Sequence, residues 1–132
     1  MLDYFKNDHF AYGAGCELKE ISDGFAMAVL TVEKRHLNAG GVCQGGAIFT
    51  LADLAFAGAV NSHGQLSFSV NSNISIFSSA KEGDVLTAVA RETVNHPKIP
   101  FCEVNITNQD GNLIATFTGQ AYRKNVPFPP TN

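Results

Sequence analysis

The stretch from Gln44 to Val60 reads QGGAIFTLADLAFAGAV, and it is the most apolar part of the chain. Within it only Gln44, Thr50 and Asp53 carry polar side chains. Small residues and strong helix formers predict a helix over 44–62, which should be buried on nearly all sides and lie close to a sheet. A carboxylate buried without partners costs several kcal/mol. Asp53 is therefore either a satisfied polar residue at an interface or a functional group.

The start of this helix has its own chemical character. Gln44, Gly45 and Gly46 open the segment as a turn that feeds a helix. The first N–H groups of a helix have no partner inside it, and the helix dipole makes this end positive. Glycines leave such N–H groups uncovered. An oxyanion-binding helix start together with a carboxylate, both in apolar surroundings, indicates acyl chemistry.

The composition limits the class of protein. A chain of 132 residues is long enough for one domain with its own core. Charged residues make up 16%, which is low against roughly 25% in typical domains. Some of the surface is therefore expected to lie in an oligomer interface. A net charge of −3 and the lack of a Lys/Arg block argue against nucleic acid as a partner.

Cysteine usage and the absence of targeting signals favour a cytoplasmic protein. The three cysteines, Cys16, Cys43 and Cys102, form no CxxC pair, so neither a disulfide framework nor a structural zinc site is expected. No pairing of the four histidines suggests a metal site. The N-terminal residues show no signal-peptide pattern, and the apolar run is too short to cross a membrane.

The remainder of the chain is mostly strand-like. A short helix is expected over 3–11, and Asp23-Gly24 marks the turn of a hairpin. The predicted strands cover 16–22, 25–31, 66–77, 85–95, 101–109 and 112–123. Hairpin connections favour an antiparallel α+β layer, with the long helix packed on the concave face of the sheet. The predicted domain spans 1–125, and 126–132 form a short proline-rich tail.

The strand over 66–77 has an unusual pattern. Its apolar side chains alternate along one face, which consists of Leu66, Phe68, Val70, Ile74 and Ile76 and is interrupted at Ser72. The other face is polar but uncharged, with Ser67, Ser69, Asn71, Asn73 and Ser75. Such a face is unusual in open water, so it is expected to lie at a subunit interface or a site.

A family resemblance rests on residues 36–38, His-Leu-Asn, and 41–53, Gly-Val-Cys-Gln-Gly-Gly-Ala-Ile-Phe-Thr-Leu-Ala-Asp. This pattern resembles the signature of hotdog-fold acyl-CoA thioesterases, in particular the phenylacetate-degradation (4-hydroxybenzoyl-CoA thioesterase-like) type. The resemblance covers about residues 10–123, and the spacings from Asn38 and from Gly45 to Asp53 match. It implies an α+β hotdog fold, in which an antiparallel sheet wraps around one long central helix, and hydrolysis of a small aryl- or acyl-CoA to free acid and CoA.

The resemblance also implies roles for individual residues. Asp53 would act as nucleophile or as general base on water, and these alternatives stay open. Gly45 would present its backbone N–H to the thioester oxygen, and Asn38 would position the carboxylate or the attacking water. A serine on the strand after the helix would orient the water. Ser69 matches best, with Ser67 and Ser72 as alternatives.

Gln44 departs from the family pattern, which has His at this position. Gln can donate a hydrogen bond but cannot change its charge near neutral pH. If the family residue holds the turn, Gln44 serves as well; if it must transfer a proton, the chain would be slow or would bind acyl-CoA without turnover. A non-catalytic acyl-CoA-binding domain is therefore the alternative function.

Helix geometry makes one more prediction. Eight residues separate Gly45 from Asp53, which is about 12 Å along a helix. Reacting groups must come within about 3–3.5 Å of one carbonyl, so the two residues of one chain cannot both act on one thioester. We expect a homodimer with composite sites, paired further into a homotetramer as the resemblance implies. Beyond the CoA of the substrate itself, no cofactor is expected.

Overall fold

The long apolar segment forms helix α2, Gly45–Asn61, as the sequence predicted. A computed structural model describes residues 1–130 of the chain. Helix α2 contacts all six strands of the structure. It approaches the sheet closely because the facing residues are small: Ala26, Ala28, Ala88 and Ala90 are fully buried. Within the described residues, no helix is long and apolar enough to cross a membrane.

The strands form one antiparallel sheet in the order β1-β2-β4-β5-β6-β3. Their bounds are β1 Glu17–Ser22, β2 Phe25–Thr31, β3 Gln65–Ile76, β4 Val85–Val94, β5 Phe101–Thr107 and β6 Leu113–Pro127. The sheet curls around α2, so the expectation of an α+β hotdog architecture is confirmed. Strand β3 lies at one edge of this sheet.

The predicted faces of β3 are wrong at its N-terminal half. The register against β6 shifts between Ser69 and Asn71, so Val70 is an extra, bulged residue. Residues directly opposite in an antiparallel pair share a face. Ser69 lies opposite buried Ala121, and Ile74 opposite buried Phe117. The bulge therefore puts Ser67 and Ser69 on the inner face with Ser72 and Ile74, while Phe68 points to the outer face.

The N-terminal segment contains two short helices where the sequence predicted one. A 3-10 helix, Leu2–Asn7, is followed by α1, His9–Gly13. Asp8 interrupts them with a non-helical backbone, and its Oδ1 accepts a hydrogen bond of 3.0 Å from the N–H of Ala11. An aspartate in this position starts a new helix rather than continuing the old one.

The predicted tail, 126–132, is in part built into the fold. Strand β6 extends through Pro127, and Phe128 is buried and donates its N–H to the carbonyl of Gly64. The ring of Phe128 packs against those of Tyr4 and Phe5, at 4.9 and 5.4 Å between centroids. The apolar ring fixes this end of the chain. Residues 131–132 of the predicted tail lie outside the described residues.

The close contact between α2 and β2 leads to a stability prediction. A Cβ at Gly58 would lie 2.8 Å from the Cβ of Ala26 and 3.3 Å from both methyl groups of Leu18. We expect Gly58→Val to lower the free energy of unfolding by about 1–3 kcal/mol, because the core has no room to accept it. Urea denaturation measures the change. Gly13→Val is the matched control, since no atom of residues 1–130 lies within 4 Å of a Cβ there.

Candidate active site

The loop before α2 is held by a buried histidine. Nδ1 of His36 accepts the N–H of Glu33 at 2.8 Å, so Nε2 carries the proton and donates to the carbonyl of Ala14 at 2.6 Å. The carbonyl of His36 in turn accepts the N–H of Gln44 at 2.8 Å. Both ring nitrogens are occupied, so His36 fixes the loop and is not placed to act as a base.

Asn38 shapes the turn that follows. Its Oδ1 accepts the N–H groups of Gly40 and Val42, at 2.9 and 3.2 Å. The side chain is exposed, and its Nδ2 has no partner among residues 1–130. The oxygen thus holds the loop while the amide remains free to donate to a carboxylate, a water or a thioester.

Gln44 caps helix α2 and determines which N–H group stays free. Its extended backbone precedes the helix, and its Oε1 accepts the N–H of Gly46. Its carbonyl accepts the N–H groups of Ala47 and Ile48, at 3.0 and 3.4 Å. Of the four N–H groups that a helix start leaves unpaired, only that of Gly45 lacks a partner among the described residues. The helix start therefore offers one donor to an oxyanion.

Asp53 lies half-buried in the middle of α2 with an unfavourable environment for its charge. Burial raises the pKa of Asp53 above its usual range, and the negative charge of Asp8 raises this pKa further. No cation or hydrogen-bond donor among residues 1–130 counteracts these two effects. A carboxylate without a partner costs stability, and such groups are concentrated at functional sites.

The carboxylate borders a cavity between α2 and the edge strand β3. The cavity has a volume of about 340 Å³ and is lined by Asp53, Phe56, Ala57, Val60, Ser67, Phe68 and Ser69. The bulge at Val70 is what turns Ser69 toward this cavity. The hydroxyl of Ser69 also shares a hydrogen bond of 2.9 Å with that of Ser72.

The predicted site residues thus fall into two groups within one chain. Asn38, Gln44 and Gly45 lie together at the helix start, and Asp53 and Ser69 lie together at a cavity farther along the helix. Ile76 of β3 reaches back to the helix start, where its Cδ1 would lie 3.3 Å from a Cβ on Gly45. The structure does not bring the two groups to one point in a single protomer.

Sequence reasoning missed Asp8 as a neighbour of Asp53. The two residues are far apart along the chain, so no spacing rule connects them. The signal that was present is Asp8 itself, a helix-capping residue immediately before the short segment His9–Gly13. Its position identifies a helix start but not the helix against which that start packs.

The three cysteines are poor candidates for a catalytic nucleophile. Burial raises the pKa of Cys16 and Cys102 to about 12 and raises that of Cys43 as well. Thiols with raised pKa values are poor nucleophiles near neutral pH. No group of three or more His, Cys, Asp or Glu side chains that could hold a metal ion occurs within residues 1–130.

Known proteins that resemble this chain identify its family. The thioesterase superfamily pattern matches residues 40–115. A protein of Archaeoglobus fulgidus, provisionally named an esterase, is 41% identical over 98% of this chain and 85% of its own length. The acyl-coenzyme A thioesterase PaaI of Escherichia coli is 33% identical over 90% of this chain and 85% of its own.

Solved structures show the same fold. The structure of the E. coli PaaI protein, from a phenylacetic acid degradation operon, has a TM-score of 0.89 at 32% identity and covers 92% of this chain and 88% of its own. A Streptococcus pneumoniae hypothetical thioesterase, solved with coenzyme A, has a TM-score of 0.84 at 28% identity, over 91% and 96% of the two chains. The chain belongs to the thioesterase superfamily, as a hotdog-fold thioester hydrolase of the PaaI type.

Proposed function

We propose that this protein hydrolyses small aryl- or acyl-CoA thioesters to the free acid and CoA, as one hotdog domain and without a further cofactor. One observation supports this proposal most strongly. Helix α2 carries both a free N–H at its start, that of Gly45, and a carboxylate without a partner among the described residues, that of Asp53. A relative named acyl-coenzyme A thioesterase and a neighbour solved with coenzyme A support the substrate class.

In this mechanism, the thioester carbonyl oxygen accepts the N–H of Gly45. Charge grows on that oxygen as the tetrahedral intermediate forms, so the donor and the helix dipole act most strongly in the transition state. Asp53 either removes a proton from the attacking water, or attacks the carbonyl itself to form an anhydride that water then hydrolyses. In both routes the C–S bond breaks and CoA leaves as the thiolate, which takes up the proton released from water. Asn38, with its amide free, positions the water or the carboxylate, and Ser69 orients the water.

The role of Gln44 follows from its contacts. It caps the helix, and its Oε1 accepts the N–H of Gly46, so the N–H of Gly45 is the donor left free. This role requires a hydrogen-bond acceptor and no change of charge, so Gln44 can support turnover without transferring a proton.

The site is completed by a second copy of the chain. Gly45 and Asp53 of one chain are about 12 Å apart along α2, which is too far for both to act on one thioester. Each site therefore combines Asn38 and Gly45 of one protomer with Asp53 of its partner. The edge strand β3 supports a two-fold dimer, since it runs for 12 residues and exposes 61% of Val70 and 62% of Phe77 beside it. A long edge strand with exposed apolar side chains and few charges invites pairing with another chain.

The test is a panel of aliphatic and aryl acyl-CoAs, with the released CoA detected by a thiol reagent. We expect turnover that Cys43→Ala preserves and Asp53→Ala abolishes. Mixing Asp53→Ala with a Gly45 variant that lacks the N–H should restore part of the activity, because half of the sites in a mixed dimer are then intact. Failure of every thioester to react would contradict the proposed function.

The environment of Asp53 predicts the pH dependence. Because burial and Asp8 both raise the pKa of Asp53, the acid limb of kcat/KM should lie above the ordinary aspartate pKa of 3.8. Asp8→Asn should move this limb to lower pH, since it removes a negative charge. Asn caps a helix as well as Asp does, so α1 should remain intact. A limb that does not move would show that Asp8 does not act on the ionising group.

A further inference from the structure

Two cavities of the structure join into one groove that begins at Asp53. The first is the cavity of about 340 Å³ beside the carboxylate. The second, of about 250 Å³, lies under the N-terminal segment and is lined in part by Tyr4, Phe5 and Phe128. Both are bordered by Ala57, Ser67 and Phe68. The shared residues make the two cavities neighbours along α2 and β3.

One face of α2 forms the floor of this groove. Asp53, Ala57 and Asn61 are four residues apart, so they lie on the same side of the helix. Asp53 is at one end, Asn61 at the other, and the smallest of the three side chains, Ala57, lies between them. Eight residues of helix give the groove a length of about 12 Å.

The polar atoms of Asn61 are not offered to a ligand. Its Nδ2 donates to the carbonyls of Ala57 and Ser67, at 2.8 and 3.3 Å, and its Oδ1 accepts the N–H of Ser67 at 2.7 Å. Its side chain ties β3 to α2 and leaves the groove without a free amide at that position.

Aromatic rings close the far end. Tyr4, Phe5 and Phe128 pack on one another with centroids 4.9 to 5.9 Å apart. Phe5 and Phe128 are buried, whereas Tyr4 is partly exposed at 37%. Asp8 also lines the second cavity, and it lies near enough to Asp53 for its negative charge to raise the pKa of that carboxyl.

We propose that this groove is the acyl subsite, and that the aromatic wall sets the length of the uncharged acyl chain it accepts. The inference rests on the proposed function, because the thioester must lie at Asp53 for its acyl group to enter here. An extended alkyl chain advances about 1.3 Å per carbon, given C–C bonds of about 1.5 Å. A groove of about 12 Å therefore takes eight or nine carbons, which makes medium-chain acyl-CoAs the preferred substrates.

The test measures kcat/KM for saturated acyl-CoAs from two to twelve carbons. For the wild-type protein we expect kcat/KM to rise by up to about fourfold for each added methylene, because burying one methylene group strengthens binding by about that factor. The rise should reach a plateau near eight carbons. Octanedioyl-CoA, which has the same length but a terminal carboxylate, should react at least tenfold more slowly than octanoyl-CoA, because the rings of Tyr4, Phe5 and Phe128 would desolvate that carboxylate.

Two variants then separate the subsite from the catalytic groups. Ala57→Leu should remove the gain beyond about four carbons, so that kcat/KM for octanoyl-CoA falls at least tenfold relative to that for acetyl-CoA, and Ala57→Ser is the matched control that keeps the groove open. Tyr4→Ala should move the plateau to longer chains. Equal effects of Ala57→Leu on all lengths, or a change of oligomeric state with no change in length preference, would overturn the proposal and leave the proposed function intact.

If no thioester is turned over, the proposed function fails. Whether the groove binds an acyl chain is then tested by measuring the affinity of non-hydrolysable analogues. Calorimetry with the stable thioethers methyl-CoA and octyl-CoA then applies. Tighter binding of octyl-CoA that Ala57→Leu abolishes would support the acyl subsite; equal binding of both thioethers would overturn it.

Discussion

Asp53→Asn is expected to lower kcat on the best acyl-CoA by about 10²–10⁴-fold, the range that general-base catalysis contributes. The variant keeps the size and shape of the side chain but can neither take a proton from water nor attack a carbonyl. KM should change little, since the carboxylate acts mainly on the transition state. Stopped-flow or thiol-reagent kinetics measures both constants, and Cys43→Ala is the control that should keep wild-type rates.

The same variant should be more stable than the wild type at neutral pH. Because the pKa of Asp53 is raised in the folded protein, the native state holds its proton more tightly than the unfolded state does. Stability therefore falls as pH rises above the unfolded-state pKa of about 3.9. Asn carries no such charge, so the Tm of Asp53→Asn should exceed that of wild type at pH 7 and match it below about pH 4.

The kcat and the Tm of Asp53→Asn together show whether Asp53 is a functional carboxylate. Loss of activity with a gain in stability is the expected result for a group kept in place at a cost to folding. A variant that keeps more than a tenth of the activity would remove Asp53 from the mechanism. A variant that loses activity and stability in parallel would instead mark Asp53 as a structural residue.

Gly45→Pro is expected to lower kcat by about 10²–10³-fold, the loss measured when one oxyanion donor is removed from an enzyme. Proline has no N–H, and Gly45 holds the first helical position, where proline is well accepted. The preceding residue, Gln44, has φ −66° and ψ 137°, and proline favours this extended conformation in the residue before it. The substitution therefore removes the donor with little change to the helix.

Gly45→Ala is the matched control for this experiment. It adds a Cβ near Cδ1 of Ile76, at 3.3 Å, and this flexible side-chain tip can move slightly aside. Alanine retains the N–H, so Gly45→Ala should keep most of the activity that Gly45→Pro loses. Circular dichroism and thermal unfolding check that α2 survives in both. Equal activity of the two variants would mean that the N–H of Gly45 does not bind the oxyanion.

Local patterns were sufficient for most of the fold. The apolar run around Asp53 predicted α2, because a helix without a polar face must be buried on all sides. The turn Asp23-Gly24 and the alternation after it predicted the hairpin of β1 and β2. These features depend on residues close together in the chain, so the sequence contains them directly.

The faces of β3 were not predictable in the same way. Alternation gives each side chain a face only while the pairing is regular, and one extra residue at Val70 reverses every assignment on one side of it. That reversal puts Ser69 beside Asp53. The bulge is a property of how β3 pairs with β6, and neither strand shows it alone.

The sequence by itself determined the helix, the antiparallel sheet and the chemical types at the candidate site, because propensity and periodicity act over a few residues. Tertiary structure alone decided three further features. Within the described residues, Gly45 keeps the one free N–H of the helix start, Asp8 lies close enough to raise the pKa of Asp53, and two adjoining cavities extend from Asp53 toward Phe128. Each of these depends on hydrogen bonds, charges or packing whose exact geometry is set only when the chain is folded.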